Sequence, residues 1–458
     1  LHIFRRKIRM SFTAIDLGAS SSRFVSDSGK ISVAPNNIVV LPDGQTSKIT
    51  PDSTDVESCL EVQIVKNSGE TCEHFPVNFM AGLIAERYST LQDRPSVQTK
   101  KYTQRINYLS AIMCAAINYI KGETSENVWL YLAVPPVEIH EAREWFNKQL
   151  VGQYTVTFPK YMGGTQVTIN VVGVKCYEES FMAATSFFFN MNGIPKEQNK
   201  KYLRGQVLSI DIGASTTDLA IIKNGTYLDK SGKTYRVGGN EARDYLRDAI
   251  MSKFDIDLDV ESAERCMAEG RLQMGNKFVD ISDLVSCAKI ALAKKLIAHM
   301  QTYFKMMNID LTTINAIIVS GGGSMQSQYI NDEGEVVKTS EPMSYYVTSE
   351  LQSISEGTDV VPYGDEARFA NVKGLFIRAK VDSAHNQMSA TPAPQPVVQP
   401  VQATTPQPVQ TQAPVEPVVQ ATPAATPVAE QTPAEESKAE AVMPTVNANN
   451  VITPNIVM

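Results

Sequence analysis

Two stretches of this 458-residue chain repeat each other. FTAIDLGASSSRFV, around Asp16, and LSIDIGASTTDLAI, around Asp211, share an apolar–Ile–Asp–apolar–Gly–Ala–Ser core and run on through hydroxyl residues into another apolar strand. They lie 195 residues apart. A single Asp-x-Gly-x-Ser carries little information, because Asp, Gly and Ser favour turns for conformational reasons alone. Two copies, each ending one buried strand and opening the next, predict a duplicated half-fold with two loops facing one cleft.

The chemistry of those loops follows from their residue types. Gly18 and Gly213 remove the Cβ that blocks close backbone approach, while successive N–H groups and the hydroxyls of Ser20, Ser21, Ser215, Thr216 and Thr217 can converge on phosphate oxygens. The leading carboxylates, Asp16 and Asp211, would repel a phosphate directly but suit Mg2+ held through its waters. A metal–nucleotide complex reconciles acid and phosphate in one loop. Arg23, seven residues after Asp16, is placed to balance charge on a β- or γ-phosphate. Asp218 reads either as a second water-orienting carboxylate or as a strand-start residue. A third cluster, INAIIVSGGGSM, is a buried strand running into Gly321, Gly322 and Gly323, with close backbone approach to the adenosine end as its expected role. Neither a Walker A loop nor a Rossmann fingerprint occurs.

Composition narrows the class. A net charge of -7 argues against a dedicated binder of nucleic-acid backbone, so no direct nucleic-acid binding is expected. The six cysteines form no CxxC pair and read as free buried thiols; five histidines without HxH or HExxH argue against a transition-metal centre. No apolar run is long enough to span a bilayer, and a cytoplasmic location is expected. LHIFRRKIR at the start reads as an extension upstream of Met10, which immediately precedes a strand. After Ala390 the chain carries thirteen of its 24 prolines, with no glycine after Gly374 and no aromatic residue after Phe376. That composition predicts a disordered, partly polyproline-II tail, a spacer whose more apolar end, VNANNVITPNIVM, could dock a partner.

Between these ends, strands and helices alternate, implying an α/β fold with a mixed sheet. FTAIDLG and SRFVSD read as strands about a tight turn, QRINYLSAIMCAAINYIKG as a helix, and NVWLYLAVPP as a buried strand. EIHEAREWFNKQLVG is amphipathic, TQVTINVVGVKCY is strand-like, and EESFMAATSFFFNMNG reads as a helix ending at Gly193.

Taken in order, AIDLGASSSR, SIDIGASTTD and VSGGGS resemble the two phosphate loops and the adenosine loop of the actin, sugar-kinase and heat-shock-chaperone ATPase superfamily. Within it the chain is most similar to ParM-type bacterial actin-like proteins, filament formers that segregate plasmids. KCYEESFMAATSF resembles their domain-connecting helix, which carries a Glu that orients the attacking water; Glu179 is the match and Glu178 the alternative. EARFANVKGLF resembles the segment leading into their last helix. SAERCMAEGRLQMG is similar to the helix touching ribose and adenine, which makes Glu264, Arg265 and Glu269 candidates, although Met267 stands where relatives often have Lys. Ala19 occupies a position where many actins carry a hydroxyl, which moves that contact to backbone or Ser20. Gly238 and Gly239 either border the nucleotide or start the helix beneath Asn240.

The resemblance implies an extension (1–9), an actin-like domain I (10–177), a domain II (178–380) whose last segment returns toward domain I, and the tail (381–458), with a central nucleotide cleft. It implies ATP or GTP hydrolysis with Mg2+, Glu179 and Asp211 positioning water, and turnover acting as the timer of a homopolymer. Segregation of plasmid or phage DNA through a DNA-binding adaptor is the expected role. A cytoskeletal or divisome scaffold of the same fold is the alternative, and a small-molecule kinase or chaperone ATPase a third.

Overall fold

The computed structural model describes residues 11–19, 21–42, 59–82, 85, 99–120, 127–160, 164–324, 326–355, 357–364 and 366–389. The expected extension, Ser20 and the Pro-rich tail lie outside these residues. The first half contains β1 (Ser11–Leu17), β2 (Ser21–Ser26), β3 (Ile31–Pro35), β4 (Ile38–Leu41), β5 (Cys59–Lys66) and β6 (Val77–Gly82). It continues through helix α1 (Arg105–Ile117), β7 (Val128–Val134), helix α2 (Ile139–Leu150), β8 (Gly152–Phe158) and β9 (Thr165–Glu178). These strands form one nine-stranded sheet in the order β3-β2-β1-β7-β9-β8-β5-β6-β4.

Helix α3 (Glu179–Phe188) leads to β10 (Gln206–Ile212), β11 (Thr217–Lys223), β12 (Thr226–Tyr227), β13 (Lys233–Tyr235), α4 (Gly239–Phe254) and α5 (Val260–Glu269). A hairpin of β14 (Arg271–Met274) and β15 (Lys277–Asp280) precedes α6 (Ser282–Met306) and β16 (Ala316–Ser320). A second hairpin, β17 (Ser327–Ile330) and β18 (Val336–Ser340), precedes α7 (Met343–Ile354), β19 (Asp359–Pro362) and α8 (Ala370–Ser389). The second sheet runs β12-β11-β10-β16-β19, with β13 also paired to β11.

The expected duplication is visible in the strand order. β3-β2-β1-β7-β9 and β12-β11-β10-β16-β19 are the same arrangement: an antiparallel meander, then two parallel strands added beside its first strand. Parallel neighbours need crossovers, which α1 supplies between β1 and β7, and α4 to α6 between β10 and β16. The hairpin registers agree as well, with Asp16 opposite Arg23 in one half and Asp211 opposite Asp218 in the other.

Both central strands are buried on two faces, which is why they read as nearly unbroken apolar runs. Along β1, Ile15 and Leu17 join Tyr108, Leu109 and Ile112 of α1 in one core, while Phe12 and Ala14 face Val372, Leu375 and Phe376 of α8. Along β10, Leu208, Ile210 and Ile212 face Leu292 and Leu296 of α6 with Val347 of α7, and Val207 faces Phe187 and Phe188 of α3. Burying each such large side chain contributes about 1.5–3 kcal/mol. The crossing of the halves is reciprocal: α3 leaves the first sheet to cover the second, α8 leaves the second to cover the first, and the two helices pack on each other.

Helix α3 stops at Phe188, short of Gly193, because Asn190 competes for the backbone. Its Oδ1 accepts from the N–H groups of Asn192 and Ile194, and its own N–H donates to the Ile194 carbonyl, a local turn that replaces helical bonds. At the other end of the fold, α8 continues past Lys380, and the Asp382 carboxylate accepts from Lys175 Nζ (2.6 Å) and Tyr177 OH (3.0 Å) of β9. Cys72, Cys114, Cys176 and Cys266 are buried free thiols as expected, whereas the free thiol of Cys287 is exposed. Among the described residues no helix is long and apolar enough to cross a membrane.

Candidate functional site

A cavity of about 490 Å³ opens between the two hairpin turns, a size suited to a small-molecule ligand. Its walls are the carboxyl ends of parallel strands from both sheets: β1 with Asp16 and Gly18, β7 with Pro135, β10 with Asp211 and Gly213, and β16 with Gly321. Open parallel sheets place ligands at such ends, where strand order reverses.

The β10–β11 turn is braced from behind. Gly213 N–H donates to the Thr216 carbonyl (2.8 Å), and the first N–H groups of α4 take the loop's own carbonyls, Gly239 to Gly213 (3.0 Å) and Asn240 to Ala214 (2.7 Å). Asn240 Nδ2 also donates to Ser215 Oγ (3.0 Å). Opposite, the β1–β2 turn is held by Asn36, whose Nδ2 donates to the Gly18 carbonyl (2.5 Å). The third cluster needs its glycine: Gly321 has φ +99°, and a Cβ there would stand 2.5 Å from Asp211 Oδ1 and 2.4 Å from the Ile212 carbonyl.

Acidic groups crowd the floor. Asp16, Asp211 and Glu179 are all buried and line the cavity. Burial pushes the Asp211 carboxyl up to about 7, with the negative charges of Glu179 and Asp16 adding to it and the Asn371 hydrogen bond opposing it. That bond runs from Asn371 Nδ2 to Asp211 Oδ2 at 2.8 Å. The Asp16 carboxyl is raised by burial as well, against Arg23, whose Nη1 lies 3.7 Å away, and Lys101. Lys101 donates to Glu179 Oε1 at 2.5 Å. Burial works against its ammonium, but Glu179 and Asp16 outweigh that and hold its pKa above the ordinary lysine value.

At the far end the lining is Glu264, Met267, Lys289, Gln326 and Ser327. Lys289 is buried and, among the described residues, has no carboxylate partner; its Nζ donates to Ser327 Oγ (2.8 Å), Ser340 Oγ (3.3 Å) and the Glu341 carbonyl (2.7 Å). Burial brings its pKa down to about 8.

Of the residues singled out in the sequence, the structure gathers Asp16, Gly18, Arg23, Glu179, Asp211, Gly213, Ser215, Thr216, Gly239, Glu264, Gly321, Gly322 and Gly323 around this cavity. Others do not line it. Thr217 is the first residue of β11, and its buried Oγ1 donates to the Val237 carbonyl (2.8 Å). Ser21 opens β2 opposite Pro35. Gly238 is the N-cap of α4, behind the loop. Glu269 accepts from Arg271 (2.9 Å) rather than reaching the cavity, and Glu178, ending β9, lies 3.9 Å from Arg143. Asp218 is buried behind the turn, its carboxylate accepting from Thr234 (2.5 Å) and Thr216 (3.3 Å). Burial, and then Glu179, hold its pKa well above the carboxylate range. Ser20 lies outside the described residues.

Lys101, Asn371 and Lys289 also line the cavity, although no sequence motif assigned them a role. Asn371 stands inside EARFANVKGLF, so the signal was present without an assignment. Lys101 sits in a polar run with no motif around it.

The residues present fit a cation through water rather than by direct ligation. Among the described residues no three acidic, His or Cys side chains are grouped to hold a metal, yet two buried carboxylates with raised pKa values face the cavity beside Asn371, whose Oδ1 is buried without a hydrogen-bond partner. Carboxylates so placed suit a hydrated Mg2+ carried by phosphates.

Comparison with known proteins gives the same architecture. The crystal structure of actin-like protein Alp7A superposes with a TM-score of 0.62 at 17% identity, over 82% of this chain and 98% of that one. The chain has the actin fold. An archaeal actin homologue, Ta0583, matches with a TM-score of 0.60 at 16% identity, covering 81% of this chain and all of the other (100%). ParM of Bacillus thuringiensis with ATP matches at 0.57 and 16% identity, over 82% and 100% of the two chains. The sequence pattern of the family described as archaeal actin homologue MreB-like, C-terminal, matches residues 209–329, the stretch from the β10–β11 hairpin through the glycine cluster. No curated protein sequence matches. Within an actin fold, the two hairpin turns and the glycine cluster occupy one interdomain cleft, as the duplicated motif required.

Proposed function

We propose that this chain is a Mg2+-dependent nucleoside triphosphatase whose turnover times the assembly of its own filaments. The observation that carries this reading is the convergence of both repeated turns, the Gly321 cluster and Glu179 on one cavity. Solved relatives of the same fold include ParM with ATP and with ADP and an archaeal homologue with ADP, which supports a purine nucleotide as the ligand.

In this reading the turn at Gly18 and Ala19 and the turn Gly213–Thr216 hold the β- and γ-phosphates from opposite sides, and Arg23 balances their charge. Mg2+, held through water by Asp16 and Asp211, would supply charge neutralisation at the phosphates. Glu179 accepts a hydrogen bond from the attacking water and keeps it in line, while Asn371 fixes the Asp211 carboxylate. Catalysis here is positioning and electrostatics. Glu264, Met267 and Gly321 to Gly323 border the nucleoside.

The segments 10–177 and 178–380 are proposed as the two nucleotide-gripping domains. We further propose that the filament segregates plasmid or phage DNA through a DNA-binding adaptor, in the cytoplasm, with the Pro-rich tail as spacer or docking arm. Because α8 runs to Ser389, a tail-free variant is best cut after Ala390. The test is electron microscopy, light scattering and phosphate release with ATP, GTP and their diphosphates plus Mg2+. Triphosphate-dependent filaments that decay with phosphate release are expected. Hydrolysis without any polymer would move the reading to a kinase or chaperone.

A further inference from the structure

Lys101 is a largely buried cation paired with the proposed water-orienting carboxylate, Glu179. Its side chain is only 14% exposed and Glu179's 11%, so the pair sits largely out of water, where separating it is costly. The backbone beneath it is pinned from two sides. Lys101 N–H donates to Glu138 Oε2 (2.7 Å), and its carbonyl accepts from Asn107 Nδ2 (2.7 Å). Glu138 belongs to the short helical turn after β7 and Asn107 to α1, so the lysine's origin is set by the first half of the fold. The ammonium has three protons to give; one goes to Glu179 Oε1 (2.5 Å), and the negative charge of Asp16 also acts on it.

Resting on the nucleotide reading above, we propose that Lys101 is a terminal-phosphate sensor that controls whether Glu179 is available to water. With the cleft empty or holding a diphosphate, Lys101 occupies Glu179 Oε1. A γ-phosphoryl group carries more charge than one carboxylate and draws the ammonium toward itself. Glu179 then exchanges its bond to Lys101 for one to the attacking water. No covalent step is involved: one charge-assisted hydrogen bond is traded for two. The carboxylate is thereby withheld until there is a phosphoryl group to transfer.

The test is equilibrium binding of fluorescent ATP and ADP analogues, with Mg2+, to full-length wild type, Lys101→Met, Lys101→Arg and Glu179→Gln, each checked for native circular dichroism. Lys101→Met should lower the triphosphate-to-diphosphate affinity ratio about tenfold, the loss of one charge-assisted bond. Diphosphate affinity should change less than about threefold, and Lys101→Arg should recover part of the ratio. Glu179→Gln releases the lysine from its competitor and should tighten triphosphate binding several-fold. An unchanged ratio in Lys101→Met, equal losses for both nucleotides, or weaker triphosphate binding in Glu179→Gln would each overturn the sensor and leave a structural ion pair. If wild type binds neither analogue, the nucleotide reading itself fails, a result distinct from these.

Discussion

Gly374, in the second turn of α8, is where local propensity and tertiary packing disagree most sharply. In an exposed helix, replacing Gly by Ala gains about 1 kcal/mol. Here a Cβ would lie 2.0 Å from the Met182 carbonyl oxygen, 2.6 Å from its carbon and 2.8 Å from its Cα, all backbone of α3. Ordinary contact begins at 3.4 Å, so the helices would have to separate by about 1.4 Å. No side-chain rotation relieves a clash with backbone, which puts the overpacking cost near about 3 kcal/mol. The net expectation for Gly374→Ala is a loss of about 2 kcal/mol, read as a lower urea midpoint. A second consequence follows from Asn371, three residues earlier on the same helix, which holds Asp211 across the α3–α8 layer. Displacing α8 should therefore slow nucleotide hydrolysis along with lowering stability. A midpoint equal to or above wild type would show that α3 and α8 do not pack this closely, and would refute the reasoning.

Two further outcomes are expected. Asn371→Ala removes the bond to Asp211 and should cost about 1.5–3 kcal/mol of stability while slowing hydrolysis more than it weakens nucleotide binding, as measured by phosphate release beside equilibrium titration. Burial depresses the folded-state pKa of Lys289 from 10.5 to about 8, so across that window the unfolded chain binds the proton more tightly and stability rises with pH. Between about pH 7.5 and about pH 9.5 this contributes about 2 kcal/mol. Lys289→Met should lose that increment, seen as a smaller shift in urea midpoint than wild type shows over the same interval.

Much of the site was legible because its signals are local. Glycine and hydroxyl residues between apolar strands announce a turn that can hold an anion, and repetition of the turn announces a second. Where the reading reached too far, pleat geometry is the reason. Thr217 continues the hydroxyl run Ser215–Thr216, but β11 begins at that residue and turns its side chain into the core, onto the Val237 carbonyl. Glu178 and Glu179 were alternatives because no sequence signal marks where β9 becomes α3. The boundary falls between them, leaving one carboxylate beside Arg143 and the other in the cavity.

The amino-acid sequence alone determined the strand–helix alternation, the duplicated hairpin and the three glycine-bearing turns, since each depends on periodicity and turn chemistry within a few residues. Only the tertiary structure decided the electrostatics of the cleft. Lys101 meets Glu179 across 78 residues of chain, and Asn371 meets Asp211 across 160. Such pairs exist only because the fold brings distant segments together, the turn before α1 to the start of α3 in one case and the start of α8 to the end of β10 in the other, and at those separations no local pattern encodes which charged groups the fold will bury together.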